Sequence, residues 1–369
     1  MKHLLIILVG ALFFLYQVHT EPIIIDHSCI NLDKIPESYV LQAKHSMRIA
    51  YGHTSHGSQI TSGITLLKAL PGSIFTFNQG ENSLSYSESF SGANDLGNPN
   101  RTAWEQATRN KLNSSNNDRN MIIWSWCGEV SSASESDINT YLTLMDQLEK
   151  DYPDVVFVYM TGHLDGTGVD GNLNKRNNQI REFCRQNNKI LFDFADIESY
   201  DPDGNYFLDK SANDGCYYYD NNNNRKNWAD EWCERNPGKC ENCSCAHSKC
   251  LNCQMKGIAF WWMLARIEGW DGENISDVDN KIQTNFDFRI SPNPAKEIIN
   301  LYIDIPHEAA ISYEIFDISG IKLQSSPLGN FTKGYYPSMI DISNLPNGVY
   351  FVKLNTGNNW IIKSFTKTE

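Results

Sequence analysis

The sequence predicts an α/β domain, a parallel sheet with helices on both faces, followed by a smaller C-terminal β-sandwich. Three features point to it. Up to about residue 270, strand-like apolar runs alternate with helical periods. The run "DVVFVYM" (154–160) is apolar without alternation, as in a parallel strand buried on both sides. Beyond "GWDGENISDVDNK" the text changes to short alternating strands punctuated by turn residues.

The elements follow in order. A basic start, an apolar run from Leu4 to Tyr16 and a short polar stretch to Thr20 have the layout of a cleavable secretory signal, and the run is too short to span a bilayer. Residues 1–20 are assigned to it, and residues 21–270 to the α/β domain. No later stretch is apolar for long enough to cross a membrane, so the mature protein is expected to be exported and soluble, without a transmembrane segment. Strands are expected at 46–52, 73–77, 121–127, 154–160 and 189–194. Helices are expected at about 57–69, in "RTAWEQATRNKL" after Pro99, and from Ser134 or Ser136, with Ile138, Tyr141, Leu142, Met145 and Leu148 on one face. Ile180, Phe183 and Cys184 mark another helix face. The segment 255–270 is apolar on nearly every side, which makes it a buried helix and puts Trp261 and Trp262 in the core. Residues 271–285 read as a linker, and 286–369 as about seven short strands.

At 369 residues the chain can support two cores. A net charge of −13 without a Lys/Arg cluster excludes a phosphate-seeking surface, so no nucleic-acid partner is expected. Of ten cysteines, six crowd between Cys233 and Cys253. Export favours disulfides there over metal. The alternative is one zinc held by the C-x-x-C pairs Cys240/Cys243 and Cys250/Cys253, although the spacer between them is short for that role. Connectivity stays open at this level.

Ligands of open parallel sheets bind at the carboxyl ends of the strands. Four loops at that rim carry chemistry: "GHTSHGS" after the first strand, "WCGEVS" after the third, "TGHLDGTG" after the fourth, and "SCAHSKCLN" before the last helix. Ser55 at a helix start is the candidate nucleophile, His247 its base, and the Gly128 N–H with the His163 side chain the oxyanion donors, with His53 and His56 beside them. An orienting acid is expected from Asp193 or Asp196, and Glu129 is either an acid or a loop carboxylate. Other roles compete: Ser55 as a helix N-cap, His163 as a turn stabiliser, or His53, His56, His163 and His247 as metal ligands of a hydrolase. In "DPDGNYFLD", Asp201, Asp203, Asn205 and Asp209 alternate like calcium ligands, or form a polar turn.

The tail resembles the type A C-terminal sorting domain of the type IX secretion system, on "ISPNPAKEIINL" (290–301), "YEIFDISGIKL" (313–323) and "ISNLPNGVYFVKL" (342–354). That resemblance implies an immunoglobulin-like sandwich, passage through the periplasm and across the outer membrane, recognition by the type IX machinery and a surface sortase, and residence on the cell surface or in the medium. In the order of its elements over about 45–270, the first domain resembles the SGNH (GDSL-like) hydrolases. This implies a flavodoxin-like sheet and an esterase acting on acetylated polysaccharide. Here Gly52-His53-Thr54-Ser55 stands for G-D-S, Cys127-Gly128-Glu129-Val130 for G-x-N-D, and Ser244-Cys245-Ala246-His247 for D-x-x-H. A non-catalytic binding protein on the same scaffold is the alternative these departures imply.

Overall fold

The computed structural model describes residues 21–80, 82–272, 287–305, 307–317, 321–356 and 360–368. The expected signal, 1–20, and residues 273–285 of the expected linker lie outside them. The chain divides into two compact units between Gly272 and Glu273.

In the first unit, six strands form one parallel sheet: β1 (Ile23–Ile25), β2 (Arg48–Gly52), β3 (Ser85–Ser87), β4 (Met121–Trp124), β5 (Val156–Met160) and β6 (Ile190–Phe192). Their spatial order is β1-β6-β5-β4-β2-β3, parallel throughout. Without the edge strand β1, this is the doubly wound order in which the chain reverses its direction of travel between β2 and β4. The loops leaving β2 and β4 therefore emerge side by side, and Ser125 N–H donates to Gly52 O at 2.9 Å.

Among the described residues, eight α-helices flank the sheet: α1 (Glu37–Ser46), α2 (Ser58–Ala69), α3 (Ala103–Leu112), α4 (Glu135–Asp151), α5 (Asn172–Gln186), α6 (Phe194–Glu198), α7 (Trp228–Arg235) and α8 (Cys250–Ile267). They pack in two groups: α1, α2, α6 and α7 against α8, and α3 and α5 against α4. Ser134 caps α4 in a reciprocal capping box with Asp137. The five residues expected on one face of that helix are all buried. Trp261 and Trp262 of α8 are core residues. A short hairpin, β7 (Tyr217–Tyr219) and β8 (Arg225–Asn227), precedes α7.

One expected strand is misplaced. Segment 73–77 is irregular, and the edge strand is β3 at Ser85–Ser87; Phe77 makes only an isolated bridge to Leu84. Phe75 and Phe77 are buried, so their apolar signal reports burial rather than pairing. Asn78 and Gly80, both at positive φ, turn the chain before a ladder can form.

No helix among the described residues is long and apolar enough to cross a membrane. The second unit is antiparallel. A sheet of β9 (Asp287–Ser291), β10 (Ile298–Ile305) and β13 (Gly334–Asp341) accompanies one of β11 (Ala309–Asp317), β12 (Lys322–Phe331), β14 (Gly348–Asn355) and β15 (Trp360–Lys367). Alternate residues such as Leu301, Ile303, Ile315, Val352 and Leu354 fill one shared core, the two-residue period of a β-sandwich.

Candidate active site

Helix packing brings the rim loops of the first unit together. α2 and α8 cross at Gly63 and Gly257: a Cβ on Gly63 would stand 1.9 Å from Cys253 O, and one on Gly257 2.3 Å from Gly63 C. Two glycines allow this backbone approach, and it draws the loop preceding α8 onto the loop preceding α2. Gly57 repeats the device at the start of α2, where a Cβ would meet Ser125 Oγ at 2.2 Å and His53 Cβ at 2.4 Å. Gly57, not Ser55, is the N-cap. Ser55 instead uses its carbonyl to accept from Ser58 Oγ at 2.6 Å.

His56 is the centre of the cluster. Its Nδ1 lies 3.2 Å from Cys127 Sγ and its Nε2 3.0 Å from Asp214 Oδ2. A thiol, an imidazole and a carboxylate thus stand in line, contributed by the loops after β4 and β2 and by the segment before β7. His56 is sandwiched between two further imidazoles. His163 stacks on one side at 3.6 Å with a 1° interplanar angle, and His247 at 4.3 Å and 12°. Burial lowers the His56 pKa, and the neighbouring imidazoles add to this against the opposing pull of Asp214. Burial resists ionisation of Asp214, yet the His56 hydrogen bond and the nearby imidazoles hold its carboxyl below the usual range. The pair therefore rests as neutral imidazole and carboxylate, the state in which Nδ1 can accept the thiol proton while Nε2–H donates to Asp214.

Beneath the stack, Lys256 and Glu198 form a wholly buried ion pair at 2.6 Å. Glu198 Oε2 accepts from Leu164 N–H at 2.7 Å, next to His163. Lys256 Nζ also donates to Gln59 of α2, whose amide donates to Ala246 O at 2.6 Å, next to His247. One buried network therefore ties together the three segments that carry the stacked histidines. Three disulfides, Cys233–Cys240, Cys243–Cys250 and Cys245–Cys253, frame the His247 loop, and His247 sits there at positive φ. The C-x-x-C pairs are thus divided among bridges and form no zinc tetrad.

Four cysteines remain as thiols. Burial pushes Cys29 up to about 11 and Cys216 up to about 12, and Cys184 is raised further still. Cys127, half-buried at the rim, is the thiol open to reaction.

The residues singled out from sequence are placed differently. His163, His247 and Gly128 lie at this rim. Ser55 reaches it only through Cys127 Sγ, 3.7 Å from its hydroxyl, and among the described residues no histidine nitrogen bonds it. His53 turns away, with Nε2 2.5 Å from Glu88 Oε1, so it does not join the other histidines as a ligand set. Asp193 is held by Arg181 at 2.6 Å and Asp196 by His27 at 2.5 Å, and the carboxylate that meets His56 is instead that of Asp214. Asp201 spends its carboxylate on the backbone N–H groups of Asp203 and Asn205 and faces Arg235 at 3.5 Å. Among the described residues, the carboxylates of Asp201, Asp203 and Asp209 do not gather as a group of three within 4.8 Å of one another. Two groups do bring ligating atoms within 4.8 Å of one another, His56–Asp214–His247 and Asp26–His27–Asp196.

Sequence reasoning missed Cys127 and Asp214. Cys127 had a usable signal: it follows a strand, precedes a glycine and lies far from the cysteine-rich segment. An even cysteine count hid it among the disulfides. Asp214, in an irregular insertion, carried no signal.

Residues 289–368 match the sequence model of the secretion system C-terminal sorting domain. No curated protein matches the chain. Among solved structures, dimeric latent PorU from Porphyromonas gingivalis aligns at 19% identity over 22% of this chain and 9% of its own, with a TM-score of 0.20. A DUF3244 family protein from Bacteroides vulgatus, with an immunoglobulin-like β-sandwich fold, aligns at 19% identity over 22% of this chain and 94% of its own, with a TM-score of 0.18. An endo-β-1,4-mannanase from Thermotoga petrophila aligns at 9% identity over 90% of this chain and 70% of its own, with a TM-score of 0.21. Scores this low establish no common fold for the first unit.

Proposed function

Since residues 289–368 are a type IX secretion C-terminal sorting domain, which makes this a secreted or outer-membrane-surface protein that engages the type IX machinery, we propose that its first unit is an exported thiol-dependent acyl hydrolase. The carrying observation is the line from Cys127 Sγ through His56 to Asp214 Oδ2, with links of 3.2 and 3.0 Å. His56 Nδ1 takes the thiol proton, and the thiolate attacks the carbonyl carbon of an ester, thioester or amide. The tetrahedral intermediate collapses with cleavage of the bond to the leaving group, which receives the proton from His56. Water then gives a proton to His56 and attacks the thioester. Collapse releases the acid and returns the proton to Cys127. Asp214 fixes the ring and stabilises the imidazolium formed twice per cycle.

In this scheme the nucleophile expected at Ser55 is Cys127, and the base expected at His247 is His56. The SGNH likeness is then confined to the order of the sheet.

Purified full chain should hydrolyse p-nitrophenyl acetate, and iodoacetamide should label Cys127 and abolish turnover; acetylated glycans extend the substrate panel. Cys127→Ala should remove activity and Ser55→Ala should leave most of it. Unchanged turnover in Cys127→Ala rejects the thiol mechanism.

A metal-dependent alternative draws on the proximity of His56, Asp214 and His247. It requires a rearrangement. Imidazole lone pairs lie in the ring plane, and rings stacked with centroids 4.3 Å apart at 12° do not converge on one ion at about 2.1 Å from both nitrogens. Metal analysis of the purified protein decides between them.

A further inference from the structure

Glu129 bends back over the loop that carries the reactive thiol. Its Oε2 accepts from the backbone N–H of Cys127 at 3.0 Å. The rest of the side chain lies in a space left open by Gly97, where a Cβ would stand 2.2 Å from Glu129 Cγ and 2.3 Å from Cδ. That space is built rather than incidental. Buried Asp95 accepts from Gly97 N–H and Asn98 N–H at 2.8 Å each and from Thr54 Oγ1 at 2.6 Å. Leu96 N–H donates to Ser125 O at 3.0 Å, which docks the same segment on the end of β4. Arg101 reaches the Glu129 carbonyl at 3.2 Å, but its ion pair is with Asp137. Among the described residues, the Glu129 carboxylate has no cationic partner, and a peptide N–H holds it.

When a thiolate attacks a carbonyl, negative charge develops on the carbonyl oxygen, and donors placed at that oxygen lower the barrier. The nucleophile's own N–H is within reach of that position. A carboxylate oxygen already sits on it. We propose that the Cys127 N–H is the oxyanion donor of this site and that the Glu129 carboxylate is a displaceable stand-in for the oxyanion, so that the resting site is blocked until an acyl substrate moves Glu129 aside. This rests on Cys127 as the nucleophile. Gly97 supplies the cradle that parks the side chain, and the exposed Gly128 beside it leaves the approach open.

Two probes separate the parts. Iodoacetamide alkylation needs a reactive thiol but no oxyanion donor, whereas p-nitrophenyl acetate hydrolysis needs both. Loss of one oxyanion donor typically costs about 100-fold or more in kcat, so freeing a blocked one in Glu129→Ala should raise kcat/KM for the ester by about tenfold. Alkylation of Cys127 should change less than the ester reaction. Glu129→Gln keeps a neutral acceptor and should give an intermediate gain, which also answers the question if the alanine variant folds poorly. Ester turnover that is unchanged or lower in both variants, with alkylation intact, overturns the stand-in role. Absence of both alkylation and turnover in the parent protein overturns the thiol mechanism and this inference with it.

Discussion

Gly63 of α2 and Gly257 of α8 meet backbone to backbone, with no room for a Cβ on either. The approach has a functional consequence, because α2 begins one residue after Gly57 and α8 begins three residues after His247. A side chain at the crossing would part the helices and pull His247 off His56. Forcing extra atoms into a packed contact costs about 1–3 kcal/mol. Gly257→Val is therefore expected to lower the melting temperature and to reduce kcat/KM further than the melting shift explains. Full activity in a stably folded Gly257→Val would show that the stack does not depend on this crossing.

Periodicity made the scaffold legible. The unbroken apolar run at 154–160 and the facial pattern of α4 could hardly fold otherwise, and both positions emerged as read. The edge was less legible: β1 and β3 have three residues each, too few to show a period. For the site, the rim could be named from strand ends, but the partners could not. Whether Ser55 or His56 faces inward depends on one turn of backbone, and a cysteine count cannot tell a bridge from a free thiol. Asp214 reaches His56 across 158 positions, a distance that no local pattern encodes.

Asp214→Asn keeps the shape of the side chain and removes the charge that His56 needs when it becomes an imidazolium. Triads that lose this acid lose roughly 10⁴-fold in kcat. With this half-buried carboxylate we expect a fall of about 10²–10⁴-fold, mainly in kcat and with little change in KM. Steady-state kinetics on an activated ester provide the measurement. A loss confined to KM would make Asp214 a binding residue instead.

Below its pKa, His56 is protonated and cannot accept the thiol proton. Burial, with help from the two stacked imidazoles, places that pKa below the 6.5 of a free histidine. The acid limb of the kcat/KM profile should accordingly have its midpoint below pH 6.5. The same depression links to stability. Between the folded pKa and 6.5 the unfolded chain binds more protons at this site than the native state does, so its contribution to stability rises with pH and is lost as pH falls through the folded value. Opening the stack with His247→Ala removes one neighbouring imidazole, which should move the acid limb up toward 6.5. A limb that starts above 6.5 in the parent protein would mean that another group takes the proton.

Lys256 and Glu198 illustrate how the site is held from beneath. Burial drives the Lys256 pKa down while Glu198 opposes it, and neither side chain reaches solvent. Removing one member of such a pair leaves a buried, uncompensated charge and costs about 3–5 kcal/mol. Lys256→Met alone and Glu198→Gln alone should each be strongly destabilised in thermal or urea melts. The double variant should recover part of the loss, because replacing both charges removes the desolvation penalty along with the attraction. Catalysis should not recover in parallel. Gln59 loses the ammonium donor and Leu164 N–H loses the carboxylate, so the segments carrying His56, His163 and His247 come untied even where stability is regained. A double variant with restored melting and restored kcat/KM would show that the network only fills the core; restored melting with depressed kcat/KM is the outcome expected of a positioning role.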